Sequence, residues 1–126
     1  MSNISAKILL VEDDDTLLEM YALKFKEVQL NLITAADGLA GLDLALKELP
    51  QVILLDIMMP KMDGFAVLVE LRKNPKTKDT PILMLSNLGQ ESDIEKGKQL
   101  GADGYIVKAS MTPAQIVDKI KSYLDK

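Results

Sequence analysis

The chain has 126 residues, a net charge of −4 and a pI near 4.8, and it contains neither cysteine nor histidine. This composition indicates one globular domain, excludes disulfides, thiol chemistry and histidine catalysis, and argues against a nucleic-acid surface as the primary role. The N-terminus has no basic segment followed by an apolar one, and no run approaches membrane-spanning length, so we expect a cytoplasmic protein without membrane insertion.

Short apolar runs bounded by turn residues predict five β-strands. They cover Lys7–Val11, Asn31–Ala35, Val52–Leu55, Ile82–Leu85 and Tyr105–Val107. Continuous branched aliphatic residues are typical of strands buried on both faces, as in parallel sheets. A helical pattern follows each run, so the sequence predicts an α/β fold with helices on both faces of a parallel sheet.

Apolar residues at helical spacing predict five helices. The spaced positions are Leu18, Tyr21, Phe25 and Val28 in the first helix, Leu39, Leu42, Leu46 and Leu49 in the second, Phe65, Leu68 and Leu71 in the third, and Ile116, Ile120 and Leu124 in the fifth. We expect Asp14 or Asp15 to be an N-cap, and capping boxes at Thr16–Glu19 and Thr112–Gln115. The fourth helix, near residues 92–100, has an internal glycine and few apolar anchors, so it is either a moving element or an ordinary exposed helix.

Polar residues stand where four of the predicted strands end. Glu12 and Asp13 follow the first strand, Asp56 the third, Ser86 the fourth and Lys108 the fifth. The carboxyl ends of parallel strands share one edge, where open α/β sheets bind ligands. Three converging carboxylates would raise one another's pKa unless a hard cation such as Mg²⁺ were bound. Each residue alone has a simpler interpretation, but together they predict a pocket for a phosphoryl group on aspartate.

From about Lys7 to Leu124 the chain resembles the receiver domain of bacterial two-component response regulators. The resemblance is carried by the segments Ile8–Asp14, Leu55–Gly64, Pro81–Ser86 and Gly101–Lys108. It implies a flavodoxin-like doubly wound (βα)5 fold whose five-stranded parallel sheet has the order 2-1-3-4-5, as in the chemotaxis member of the family.

The resemblance also implies a phosphoacceptor and a metal site. Asp56 would take a phosphoryl group from a histidine kinase or a phosphotransfer protein. Glu12 and Asp13 would be the acidic pair of a Mg²⁺ site, with Asp13, Asp56 and the backbone carbonyl of Met58 nearest the ion.

Further roles and two departures come from the same resemblance. Ser86 would be the switch hydroxyl, Lys108 would contact the phosphoryl group, and Tyr105 would be the aromatic switch residue, unless its ring is simply packed at the sheet edge. The family usually has proline where this chain has Ala109, so we expect a trans bond there, because a cis bond without proline costs about 2.5–4 kcal/mol. The family favours a very small residue at Asn87, whose effect on phosphoryl lifetime has no predicted sign.

The leading hypothesis is a signalling switch that catalyses at most its own phosphoryl transfer and slow dephosphorylation. Phosphorylation would change the partner preference of the surface formed by the fourth helix, last strand and last helix. The alternative is a pseudo-receiver that binds partners without phosphorylation. A hydrolase is disfavoured because Met58 stands where such phosphatases carry a second aspartate. We expect a single receiver domain over residues 1–126 with no output domain, monomeric or dimerising on phosphorylation, which binds a downstream protein but no nucleic acid.

Overall fold

A computed structural model describes residues 6–87 and 91–124 as alternating strands and helices around one sheet. The strands are β1 (Lys7–Val11), β2 (Asn31–Ala35), β3 (Val52–Asp56), β4 (Ile82–Ser86) and β5 (Gly104–Val107). The helices are α1 (Asp15–Glu27), α2 (Gly38–Glu48), α3 (Gly64–Lys73), α4 (Glu91–Leu100) and α5 (Pro113–Leu124). All pairings are parallel and the order is β2-β1-β3-β4-β5, which confirms the predicted class and topology. None of these helices has the length and apolar character needed to cross a bilayer.

The sheet separates two hydrophobic cores, because successive side chains of a strand point to opposite faces. Ile8 and Leu10 of β1 face a core that α1 and α5 cover. Leu9 and Val11 face a second core, which is covered by α2 and α3 and reached by the end of α4. All five residues of β3, at the centre of the sheet, are buried. Helices therefore lie on both faces, as predicted.

Of the two predicted capping boxes, one is present. Thr112 and Gln115 exchange hydrogen bonds: the Thr112 N–H donates to Gln115 Oε1 at 2.9 Å, and the Gln115 N–H donates to Thr112 Oγ1 at 3.2 Å. The predicted box at Thr16–Glu19 is wrong, because α1 begins earlier. Asp14 is its N-cap, and Asp14 Oδ1 accepts from the backbone N–H groups of Thr16 and Leu17.

Small residues form the buried face of α2. The buried positions are Gly38, Gly41 and Ala45, whereas Leu39 and Leu49 are 49% and 47% exposed. Of the four leucines that predicted this helix, Leu42 and Leu46 pack against the second core, whereas Leu39 and Leu49 do not. The helix lies so close to β1 that a Cβ atom on Gly41 would be 2.7 Å from both Cγ atoms of Val11.

Helix α4 is weakly anchored, as its sequence predicts. Gly97 is its one buried residue within the described chain. By contrast, α3 buries five residues. The two helices that flank the end of β4 thus differ in how firmly they are packed.

Candidate functional site

The carboxyl edge of the sheet carries a pocket of about 280 Å³. It is lined by Glu12, Asp13, Asp14, Asp56, Met58, Ser86, Asn87 and Lys108. Asp56 and Ser86 are the last residues of β3 and β4, while Lys108 directly follows β5. Parallel strands place these ends side by side, so residues far apart in the chain meet in one pocket. Every predicted site residue except Tyr105 lies there.

Three carboxylates meet in this pocket. One oxygen from each of Glu12, Asp13 and Asp56 lies within 4.8 Å of the others. Glu12 and Asp56 are buried, whereas Asp13 is exposed, so the group is open to solvent on one side. The Asp14 N–H donates to Glu12 Oε2 at 3.0 Å and fixes that side chain. This oxygen-only set suits a hard divalent cation.

Lys108, which directly follows β5, supplies the positive charge of the pocket. Its Nζ forms ion pairs with Glu12 Oε1 and with Asp56 Oδ2, the latter at 3.1 Å. Only 6% of the Lys108 side chain is exposed. The bond between Lys108 and Ala109 is trans, as predicted, and the ammonium reaches Asp56 without the family's proline. The sequence did not predict the pair with Glu12.

Burial and this ion pair change both pKa values. Burial raises the pKa of Glu12, and the hydrogen bond from Lys108 opposes that rise only in part. Burial alone would lower the pKa of Lys108, but the hydrogen bond to Glu12 and the charge of Asp56 outweigh it, so the pKa of Lys108 is raised. The lysine therefore remains an ammonium ion at physiological pH.

Tyr105 lies outside this pocket. It is half-buried on β5, where it is the register partner of Met84. It lines a separate cavity of about 200 Å³ together with Ile94 and Gly97 of α4. In the sheet, β4 lies between the strand of Asp56 and the strand of Tyr105, and its last residue is Ser86.

The structure has a doubly wound parallel sheet with an acidic pocket and a buried lysine at its carboxyl edge. This is the arrangement that the resemblance to receiver domains implied. The family model of the response regulator receiver domain matches residues 8–121, and the chain belongs to this family. The general function of receiver domains is phosphorylation-based signalling.

Known proteins of this family are similar to the chain in sequence and in structure. The probable transcriptional regulator ycf27 of Guillardia theta is 38% identical over 118 residues, which are 94% of this chain and 45% of the relative. Chemotaxis protein CheY4 of Vibrio cholerae is 32% identical with a TM-score of 0.88, covering 94% of this chain and 98% of that one. The Mn(2+)-bound form of response regulator Rcp1 is 30% identical with a TM-score of 0.80, covering 94% of both chains. This chain spans about half the length of the curated relatives it matches.

Proposed function

We propose that the chain is a phosphorylation-activated switch in which Asp56 accepts the phosphoryl group. The observation that carries this proposal is the position of the Asp56 carboxylate, which shares a pocket with Glu12 and Asp13 and lies 3.1 Å from the Lys108 ammonium. A nucleophilic oxygen, an acidic cation site and a fixed positive charge are the groups that phosphoryl transfer requires.

Mg²⁺ is the proposed cofactor. Three carboxylates face a single ammonium group in the pocket, so negative charge is in excess. Glu12, Asp13, Asp56 and the Met58 backbone carbonyl would hold the ion, either directly or through retained waters. The Mn(2+)-bound form of the similar Rcp1 supports a divalent cation in this family. When bound, the ion would polarise the phosphoryl oxygens and offset their charge.

The covalent change in the transfer involves only Asp56 and the donor. A carboxylate oxygen of Asp56 attacks phosphorus on a donor phosphohistidine; a P–O bond forms, the P–N bond breaks and the imidazole leaves. Lys108 then contacts a phosphoryl oxygen as well as Glu12, and the Ser86 hydroxyl donates a hydrogen bond to another.

The switch would be read by other proteins. Added charge at Asp56 would draw the Ser86 hydroxyl towards the phosphoryl group and Tyr105 inwards, changing the surface of α4, β5 and α5. The proposed partners are a sensor histidine kinase or phosphotransfer protein upstream and a downstream protein that prefers one state. In this proposal the chain is a signalling domain and not a turnover enzyme, and its own surface does not bind nucleic acid.

Phosphorylation by acetyl phosphate tests the proposal. Intact-mass spectrometry should show a Mg²⁺-dependent adduct of about 80 Da on the wild-type chain. The adduct should disappear with EDTA and in Asp56→Asn. The matched control is Asp63→Asn, since Asp63 caps α3 through Ala66 and asparagine is an equally good cap. An adduct that survives in Asp56→Asn contradicts the assignment. Absence of any adduct would favour the pseudo-receiver alternative.

A further inference from the structure

The loop between β3 and α3, residues 57–63, is fixed to the phosphoacceptor strand at its far end. The Gly64 N–H donates to the Ile57 carbonyl at 2.8 Å. A Cβ atom on Gly64 would lie 2.2 Å from the Asp56 carbonyl oxygen, so only glycine permits this closure. The end of the loop therefore returns to where it began.

The same loop has a second attachment, to the start of α2. A Cβ atom on the buried Gly38 would lie 1.8 Å from the Met62 carbonyl oxygen. The Gly38 N–H points at the Pro60 carbonyl, 3.4 Å away, and Asp37 Oδ2 lies 3.7 Å from Lys61 Nζ. Residues 24 positions apart thus form a backbone-to-backbone contact with no room for a side chain.

The loop needs this support because its middle is strained. The Met62 N–H donates to the Pro60 carbonyl at 2.8 Å, which closes a three-residue turn with Lys61 at a φ of 68°. A lysine keeps a backbone conformation with positive φ only when the surrounding contacts impose it. Gly38 and Asp37 supply such contacts, because they lie against Pro60 and Lys61 of this turn.

We propose that the Asp37–Gly38 turn is a positioning element for the metal-binding loop and sets its affinity and selectivity for Mg²⁺. Met58 lies between the two attachments, after Ile57 and before Pro60, so the position of its carbonyl depends on both. This inference rests on the proposed Mg²⁺ site. The start of α2 contributes no proposed ligand of the metal. In this proposal it nevertheless controls the position of the Met58 carbonyl, which lies on another loop.

The chemistry of the two alkaline-earth ions makes the inference testable. Mg²⁺ requires near-octahedral oxygen ligands at about 2.0–2.1 Å, whereas Ca²⁺ accepts flexible geometry at about 2.3–2.6 Å. Real Cβ atoms do not approach other atoms closer than 3.0 Å, so alanine at Gly38 must displace the 1.8 Å contact. The required movement, about 1 Å, exceeds the tolerance of about 0.2 Å for a ligand distance.

The experiment compares Gly38→Ala with wild type in amide chemical-shift titrations with Mg²⁺ and with Ca²⁺. Mg²⁺ affinity should fall about 10-fold or more, as for other supporting contacts of metal ligands, and Ca²⁺ affinity should fall much less. Gly97→Ala is the matched control, since a Cβ atom there meets its nearest neighbour at 3.5 Å; it should leave both affinities unchanged. Unchanged Mg²⁺ affinity in Gly38→Ala, or equal losses for both ions, would overturn the inference.

A second variant covers the case in which Gly38→Ala does not fold. Pro60→Ala alters an exposed residue and frees the φ angle at the carbonyl that faces Gly38. It should lower Mg²⁺ affinity more than Ca²⁺ affinity; unchanged affinities overturn the inference. The wild-type titration separates the two proposals, because a wild-type chain that binds no Mg²⁺ contradicts the metal site itself.

Discussion

Replacing Lys108 by methionine tests whether the ion pairs of the pocket stabilise the folded chain. The substitution keeps an unbranched side chain but removes the ammonium that contacts Glu12 and Asp56. The exposed fractions of the two carboxylate side chains are only 1% and 10%, so the substitution leaves both largely buried without their positively charged partner. Breaking a buried ion pair in this way costs about 3–5 kcal/mol. That is a large share of the roughly 5–15 kcal/mol that stabilises a typical domain.

Urea denaturation without divalent cations at pH 7.5 measures this loss. With an m value of about 2 kcal/mol/M, the midpoint should fall by about 2 M. Lys73→Met is the matched control, because Lys73 also pairs with a glutamate, Glu70, at 3.2 Å, but 69% of its side chain is exposed. An exposed pair contributes at most about 1 kcal/mol, so the control should unfold close to the wild-type midpoint.

The pH dependence of the Lys108→Met variant has a definite sign. Burial already raises the pKa of Glu12, and the substitution removes the hydrogen bond that opposes this rise. A carboxyl group with a higher pKa in the folded state binds more protons when folded, so stability increases as the pH falls through that pKa. The deficit of the variant should therefore shrink between pH 7.5 and about pH 5. A loss below about 1 kcal/mol at pH 7.5, or a deficit that grows on acidification, would refute the reasoning.

Three further substitutions probe the scaffold. Gly97→Ala should raise the free energy of unfolding by about 1 kcal/mol and Tm by about 4 °C, because the added Cβ has room at 3.5 Å; a lower Tm in thermal unfolding would contradict this. Arg72→Ala should cost about 2–3 kcal/mol, because Arg72 donates to Asp103 and to four backbone carbonyls; hydrogen exchange near residues 98–104 should accelerate, and unchanged exchange would count against it. Thr112→Ala should cost about 1 kcal/mol in urea denaturation, whereas Thr112→Ser, which keeps the hydroxyl that accepts from Gln115, should cost much less.

The fold could be predicted because the apolar runs mark the strands and the turn residues between them mark where each strand and helix ends. The predicted β3 and β4 ended one residue too early, at Leu55 and Leu85. In the structure Asp56 pairs with Leu85 within the ladder, and Ser86 pairs with Val107. Strand pairing uses backbone groups, which a polar side chain does not disturb, so the change from apolar to polar residues marks the pocket and not the end of the strand.

The meeting of Glu12, Asp13, Asp56, Ser86 and Lys108 followed from topology, since parallel strands must deliver their carboxyl ends to one edge. The place of Met58 was implied only by the family resemblance. The internal pairing of the pocket did not follow. The contact of Lys108 with Glu12 depends on how far the lysine side chain extends across the carboxyl edge of the sheet. The pattern of residues in one sequence does not predict that distance. The approach of Gly38 to Met62 was also missed, because a glycine at a helix start has a simpler explanation as a turn residue.

The contact of Gly64 with the Asp56 carbonyl joins the start of α3 to β3 as one stiff block. On the other side of Asp56, Gly97 is the one buried residue of α4 among the described residues, and Leu100 packs against the second core while half-buried. Under the proposed function, phosphorylation of Asp56 would therefore displace α4 more readily than α3. In that case a partner protein that contacts α4 would be able to distinguish the two proposed states.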